Sequence, residues 1–274
     1  MDRPEIYFLH IEKTAGSSLA SLIRRAYPQQ QAIPVYECPA LANLNREQIN
    51  NYRCYTGHFG TSLYSLLDRE IPTITVLRDP FERAISHLLH GERLNEPSTF
   101  VWGLVVRAGH WLWDTIENDE IRRRIETPVV GAILRDYQTR TLGVDIDLSS
   151  HMGKPIPKIY ALIQDAEVGQ NMDSILERAK KRLDAMAVVG IVERFDDTVR
   201  LVCNYLGIPV PDVAPVMNVA PGHAFHIRHR DSGLISPDLA ALIDRITVYD
   251  RELYEYARKL MNARLQDVTN RDAL

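Results

Sequence analysis

Only three cysteines occur in the chain, Cys38, Cys54 and Cys203, scattered and odd in number. That excludes a disulfide framework, and the thiols read as reduced ones in a reducing compartment. No Cys/His spacing typical of zinc is present, and no apolar run is long enough to span a bilayer. Positive charge is short as well. Lys and Arg total 32 against 36 Asp and Glu, a formal net charge of −4, where a nucleic-acid binder shows a basic balance. Attraction for an anion therefore has to be local. The first residues, Met1-Asp2-Arg3-Pro4-Glu5, do not form the n-region of a signal peptide. The expectation is a soluble, cytoplasmic protein, bacterial in origin, with no nucleic-acid partner and no membrane span.

What is present is concentrated near the N-terminus. The apolar run Ile6-Tyr7-Phe8-Leu9-His10-Ile11 stops at Glu12-Lys13, and Thr14-Ala15-Gly16-Ser17-Ser18-Leu19 follows. A buried strand, a loop of small residues and a helix start make a cradle for a phosphate-like anion, because free N–H groups and the positive end of the helix dipole converge there. Lys13 adds a full charge. A Walker A loop places its Lys after the glycines. Here Lys13 precedes Gly16, no Gly stands upstream, and no convincing Walker B run ending in Asp occurs.

A second motif begins where the β-branched run Thr73-Ile74-Thr75-Val76-Leu77 ends, in Arg78-Asp79-Pro80-Phe81-Glu82-Arg83-Ala84-Ile85-Ser86-His87. Asp79 suits a helix N-cap and Pro80 the first helical position. Arg78 then stands at the carboxyl end of a strand, where open α/β sheets bind ligands. Arg83 and Ser86 are three apart and share a helix face. A guanidinium fork with a hydroxyl donor makes a second anion site. The alternative is that Arg78 pairs with Asp79 or Glu82 as structural glue.

Together the two motifs resemble those of carbohydrate sulfotransferases that use 3′-phosphoadenosine 5′-phosphosulfate (PAPS), in the branch with heparan 2-O-sulfotransferases and related bacterial enzymes. The firm likeness covers about the first third of the chain. The resemblance implies that Lys13, Thr14, Ala15, Gly16, Ser17 and Ser18 line the 5′-phosphosulfate site and that Arg78 and Ser86 hold the 3′-phosphate. PAP, the desulfonated donor, would be the product. It further implies that His58, in Cys54-Tyr55-Thr56-Gly57-His58-Phe59-Gly60, is the base for the acceptor hydroxyl, with Lys13 stabilising the leaving phosphate. Glu12 stands where many relatives have Pro. His10 and Glu12 remain alternative bases.

No metal is required in principle, because Lys13 and helix-end donors can neutralise the developing charge. The acceptor is expected to be a hydroxyl compound, a glycan or a small molecule. Two other readings stay open: a nucleotide-dependent phosphotransferase (kinase) with a degenerate P-loop, and a catalytically silent nucleotide-binding protein.

The expected fold is α/β, with a P-loop-like central parallel sheet flanked by helices on both faces. It forms a single domain over 1–274 with a helical insertion at roughly 98–140. Strands are expected at 6–11, 54–58, 73–77 and 187–192, with another at Ile159 to Ile163. Helices are expected near 16–27, 46–51, 61–69, 81–91 and 172–186, from Phe195 to Leu206, and over a tail at 236–266. Weaker candidates follow. Gln138 and Arg140 could touch donor or acceptor, or belong to a polar helix C-terminus. Asn218 and the cationic run His223, His226, Arg228, His229, Arg230 could close over the 3′-phosphate. Trp111 and Trp113, beside His110, could stack on sugar or pack internally. Arg122, Arg123 and Arg124 read as a solvated face.

Overall fold

The structure is a computed structural model that describes residues 3–94, 123, 125–213, 230 and 235–272. Most of the expected insertion, including Trp102, His110, Trp111 and Trp113, lies outside the described residues. So do Arg122, Arg124, Asn218 and the run from His223 to His229.

The sheet comprises β1 (Ile6–Leu9), β2 (Cys54–Gly57), β3 (Thr73–Leu77) and β4 (Val188–Ile191). Its order is β2-β1-β3-β4 and all three pairings are parallel. Every strand residue is buried, as expected of a parallel sheet covered on both faces. The chain crosses from β1 out to β2 on one side and from β3 out to β4 on the other; crossovers of the usual right hand in opposite directions put their helices on opposite faces. The order reverses direction between β1 and β3. That reversal opens a crevice at their carboxyl ends, the place where open α/β sheets bind ligands.

Helix α1 (Gly16–Arg25) leaves β1. Short helices α2 (Cys38–Leu41) and α3 (Arg46–Asn50) follow; α3 carries a capping box between Asn45 and Gln48. Helix α4 (Pro80–Leu94) begins where Asp79 Oδ1 accepts the Glu82 N–H at 3.0 Å, as the Asp-Pro signal predicts. Then come α5 (Pro128–Leu134), α6 (Tyr137–Gly143), α7 (Ile159–Ala166) and α8 (Met172–Ala185). After β4 lie α9 (Phe195–Leu206), stopped by Gly207 in the left-handed region, α10 (Pro237–Ile246) and α11 (Val248–Asp272). Among the described residues no helix is long and apolar enough to cross a membrane.

Three expectations are corrected. Ile159 to Ile163 is the start of α7, not a strand: Ile159 and Ile163, four apart, are the residues it buries. The expected helix at 61–69 is a 3₁₀ turn over Gly60–Ser65. The C-terminal tail is two helices, because the Asp136 carboxylate accepts the Tyr249 and Asp250 N–H groups at 2.8 and 3.0 Å and starts α11 afresh.

The main core joins both faces of the sheet to α1, α8, α9 and α11. A smaller one links Phe81, Ala84 and Ile85 of α4 to Leu134, Leu239 and Ile243. All three cysteines are free and buried, and burial pushes the Cys38 and Cys54 thiols up to about 12. They are packing residues and not nucleophiles.

Candidate active site

Each strand delivers its first residues beyond the sheet to one rim: His10 to Ala15 after β1, His58 after β2, Arg78 and Asp79 after β3, Glu193 after β4. The loop after β1 is sharply bent. Lys13 and Ala15 both adopt positive φ, 69° and 56°. Ala15 caps α1 with no side-chain bond to its first turn. The leading N–H groups of α1 are therefore presented by a left-handed backbone turn, the concave arrangement that binds anions. Thr14 and Ser18 are fully buried, and the Thr14 hydroxyl donates to Ile11 O at 2.8 Å. The Ser18 N–H donates to Ala15 O at 3.2 Å and is not open to a ligand, so of the two residues it is Thr14 that offers its backbone N–H.

Gly16 has a local reason. A Cβ there would lie 2.6 Å from His10 Cγ and closer still to Cδ2 and Nε2. The His10 ring fills the space beneath the loop. It is 5% exposed, its Nδ1 hydrogen-bonds the Tyr36 hydroxyl, and it stacks on Phe8 and on His58 at centroid distances of 5.5 and 4.3 Å. Burial holds its pKa well below the ordinary imidazole value, and His58 and Lys13 push the same way. His10 is thus a neutral packing residue under the loop.

His58 is half-buried. Its backbone N–H donates to Tyr36 O at 2.8 Å, and its ring Nδ1 lies 3.0 Å from His10 O. A carbonyl only accepts, so Nδ1 carries the proton and the lone pair of the neutral ring is on Nε2. Glu37 pairs with His58 in an isolated parallel bridge. Glu12, Glu37 and His58 bring one ligand atom each to within 4.8 Å of one another, and this trio could also hold a metal ion. Burial raises the Glu37 pKa and Glu12 raises it further, while His58 opposes the shift. His87 of α4 approaches from the other side, its Nδ1 3.8 Å from Glu12 Oε2.

The two motifs meet. Arg78 Nη1 donates to Lys13 O at 3.4 Å. Among the described residues no carboxylate lies within ion-pair distance of Arg78, though Glu193, Glu82 and Asp79 act on its charge. Its Nε is a buried donor with no acceptor, which is the condition expected of a guanidinium that waits for an anion. Burial lowers the Arg78 pKa, and Glu193, Glu82 and Asp79 oppose this. Ser86 is half-buried on α4 beside His87.

Arg83 turns one side of its guanidinium toward the end of α5, yet stays within the electrostatic reach of Glu12 and Arg78. It is fully buried, its Nη2 donates to Ile133 O at 2.7 Å, and its guanidinium lies 4.9 Å over the Tyr137 ring. It serves the carbonyl end of α5. Arg83 Nε and Nη1 are, like Arg78 Nε, buried donors without an acceptor, whereas Arg140 is spent on Glu167 and on Ala132 O at 2.6 Å. Arg230 stacks over Phe81 at 4.1 Å and pairs with Asp244.

Beside the rim a cavity of about 480 Å³ runs along α1, lined by Ser17, Ser21, Arg24, Arg25, Gln29 and Tyr36 among others. It carries two guanidinium groups and no carboxylate. Tyr36 is its wall toward the histidines, with its ring 4.8 Å from that of His58. Tyr36, Glu37, His87 and Glu193 carry no site signal in the sequence. They come from loops and helix faces without a local motif, and only strand pairing and packing bring them in.

The fold and the rim together define an α/β protein with a crevice at the β1/β3 reversal, where Arg78 reaches the loop after β1. No family model matches the chain, and no curated protein matches it. Among solved structures it is similar to a sulfotransferase from Alicyclobacillus acidocaldarius, at 13% identity and a TM-score of 0.42, over 96% of this chain and 97% of that one. At that score the likeness carries no weight for function.

Proposed function

We propose that the protein is a PAPS-dependent sulfotransferase acting on a hydroxyl of a carbohydrate or similar polar acceptor. The observation that carries this reading is that the Arg78 guanidinium reaches the loop after β1, its Nη1 3.4 Å from the Lys13 carbonyl. One nucleotide with an anionic group at each end of its ribose would satisfy both. The bent loop with its uncapped helix start suits the 5′-phosphosulfate, and the orphaned Arg78 Nε suits the 3′-phosphate. A Walker lysine would follow the glycine; Lys13 precedes it.

In this reading Lys13 and the N–H groups of 14–17 hold the leaving phosphate, whose bridging oxygen gains charge as the S–O bond breaks. They stabilise the transition state more than the ground state. His58 Nε2 takes the proton of the attacking hydroxyl, and the His10 carbonyl stabilises the imidazolium that forms. The α1 cavity, rich in hydroxyl and guanidinium groups and one ring away from His58, is the acceptor's approach.

The test is a pair of thermal-shift titrations followed by transfer of labelled sulfonate from PAPS to hydroxyl acceptors. Adenosine 3′,5′-bisphosphate raises the Tm without magnesium. Stabilisation by ATP with magnesium alone would point to a phosphotransferase, and binding without transfer to any acceptor would leave a silent nucleotide-binding protein.

A further inference from the structure

We infer that Gln138 sets the position of Arg78 and thereby fixes the preference for a 3′-phosphorylated nucleotide; the inference rests on the donor assignment above. The side-chain amide of Gln138 grips the backbone of Arg78 in both directions. Arg78 N donates to Oε1 at 2.9 Å, and Nε2 donates to Arg78 O at 2.9 Å. Two opposed bonds on one residue fix both its place and its rotation, as a neighbouring strand would. They act where the sheet can no longer do so, since the last ladder pair on this side is Leu77 with Ile191, one residue before Arg78.

Gln138 is itself fully buried, so it does not meet the ligand. It acts through Arg78 and is a positioning residue. Its own place is firmly set. The Asp250 carboxylate accepts from Gln138 N at 3.2 Å and from Thr139 N at 2.7 Å, and so caps α6. Asp136, just before α6, does the same for α11 through Tyr249 N and Asp250 N. Each helix start thus carries the carboxylate that caps the other. From the β4 side Glu193 Oε1 accepts the Asp79 N–H at 3.0 Å, while Tyr254 donates to Glu193 Oε2 at 2.8 Å. The Arg78–Asp79 segment is therefore held from two directions. Arginine carries much rotamer freedom, and its planar fork recognises phosphate well only when the stem is anchored. Anchoring the backbone is what the amide supplies.

Gln138→Leu keeps the bulk and removes both bonds. Gln138→Glu keeps the acceptor for Arg78 N and loses the donor to Arg78 O, and it stands in if the leucine variant does not fold. The readout is calorimetric affinity of the full chain for adenosine 3′,5′-bisphosphate and for adenosine 5′-monophosphate. We expect the bisphosphate to bind about tenfold more weakly to Gln138→Leu, the effect of removing one charge-assisted hydrogen bond, and the monophosphate to change by less than about twofold. In an Arg78→Ala background the same substitution adds nothing to the loss. A merely structural glutamine would weaken both nucleotides alike. A wild type that discriminates between the two nucleotides, with a folded Gln138 variant that discriminates equally well, overturns the inference alone. A wild type that binds both nucleotides equally removes the donor assignment and the inference with it.

Discussion

Replacing Gly16 by Ala adds one methyl group at the most crowded point of the site. Gly16 is helical with no positive φ, so the backbone itself welcomes alanine. On helix propensity alone the change would stabilise by about 1 kcal/mol or less. Space decides the opposite. The new Cβ would lie 2.6 Å from His10 Cγ and nearer to two other ring atoms, whereas carbon atoms that touch settle at about 3.5–4.0 Å. The ring must therefore retreat by about 1 Å or more. It has nowhere to go: it is 5% exposed and confined by Phe8, Tyr36 and His58. Overpacking of this kind costs about 1–3 kcal/mol. The displacement passes to His58, whose ring lies against His10 and whose Nδ1 bonds the His10 carbonyl. With His58 as the proposed base, a displacement of about 1 Å costs about 10²-fold in turnover.

Urea unfolding and labelled sulfonate transfer read the two effects. The control is a double-mutant cycle with His10→Ala, which empties the space. In that background Gly16→Ala becomes neutral or stabilising. An undiminished penalty there would place the strain somewhere other than the His10 ring and refute the reasoning.

Lys13→Ala lowers kcat far more than donor affinity, because its interaction strengthens as charge develops; equal losses in both would remove it from the transition state. Arg83→Met lowers stability by about 3–5 kcal/mol, since it removes the cation that offsets the buried Asp250 carboxylate; urea melts check it, and an unchanged midpoint would remove the pairing. Asp136, raised to about 7 by burial and by Asp250, binds a proton in the folded state that the unfolded chain has already lost above about pH 4. Stability from this pair is therefore present at low pH and falls as pH rises through 7, by at most about 1.4 kcal/mol per pH unit for one proton. Asp136→Asn keeps the caps, tolerates the left-handed φ, and flattens the Tm profile between about pH 5 and 8; an unchanged slope would acquit the pair.

The parts of this molecule written locally are legible in its sequence. β3 has the bounds that its β-branched run gives, Asp79 and Pro80 start α4, and Gly207 ends α9. The two motifs at the crevice are readable because each lies within a few residues of one strand end. What is illegible depends on distant partners. Arg83 and Arg78 are both arginines in one motif, yet one lies against the end of α5 and the other in the crevice. Gln138, a candidate for touching the ligand by sequence, instead grips a backbone 60 residues away along the chain. Tyr36 and Glu37 enter the site only because their loop pairs with the end of β2. The apolar run at Ile159 suggests a strand and forms a helix, because a run that short has no period to decide between the two.

One adenosine-based molecule spanning the crevice is the claim on which the rest depends, and a crystal structure with adenosine 3′,5′-bisphosphate tests it directly. The expected complex has the 5′-phosphate on the N–H groups of 14–17 beside Lys13 and the 3′-phosphate on Arg78. Density that places the two phosphates elsewhere, or Lys13 and Arg78 in separate cavities, would contradict it.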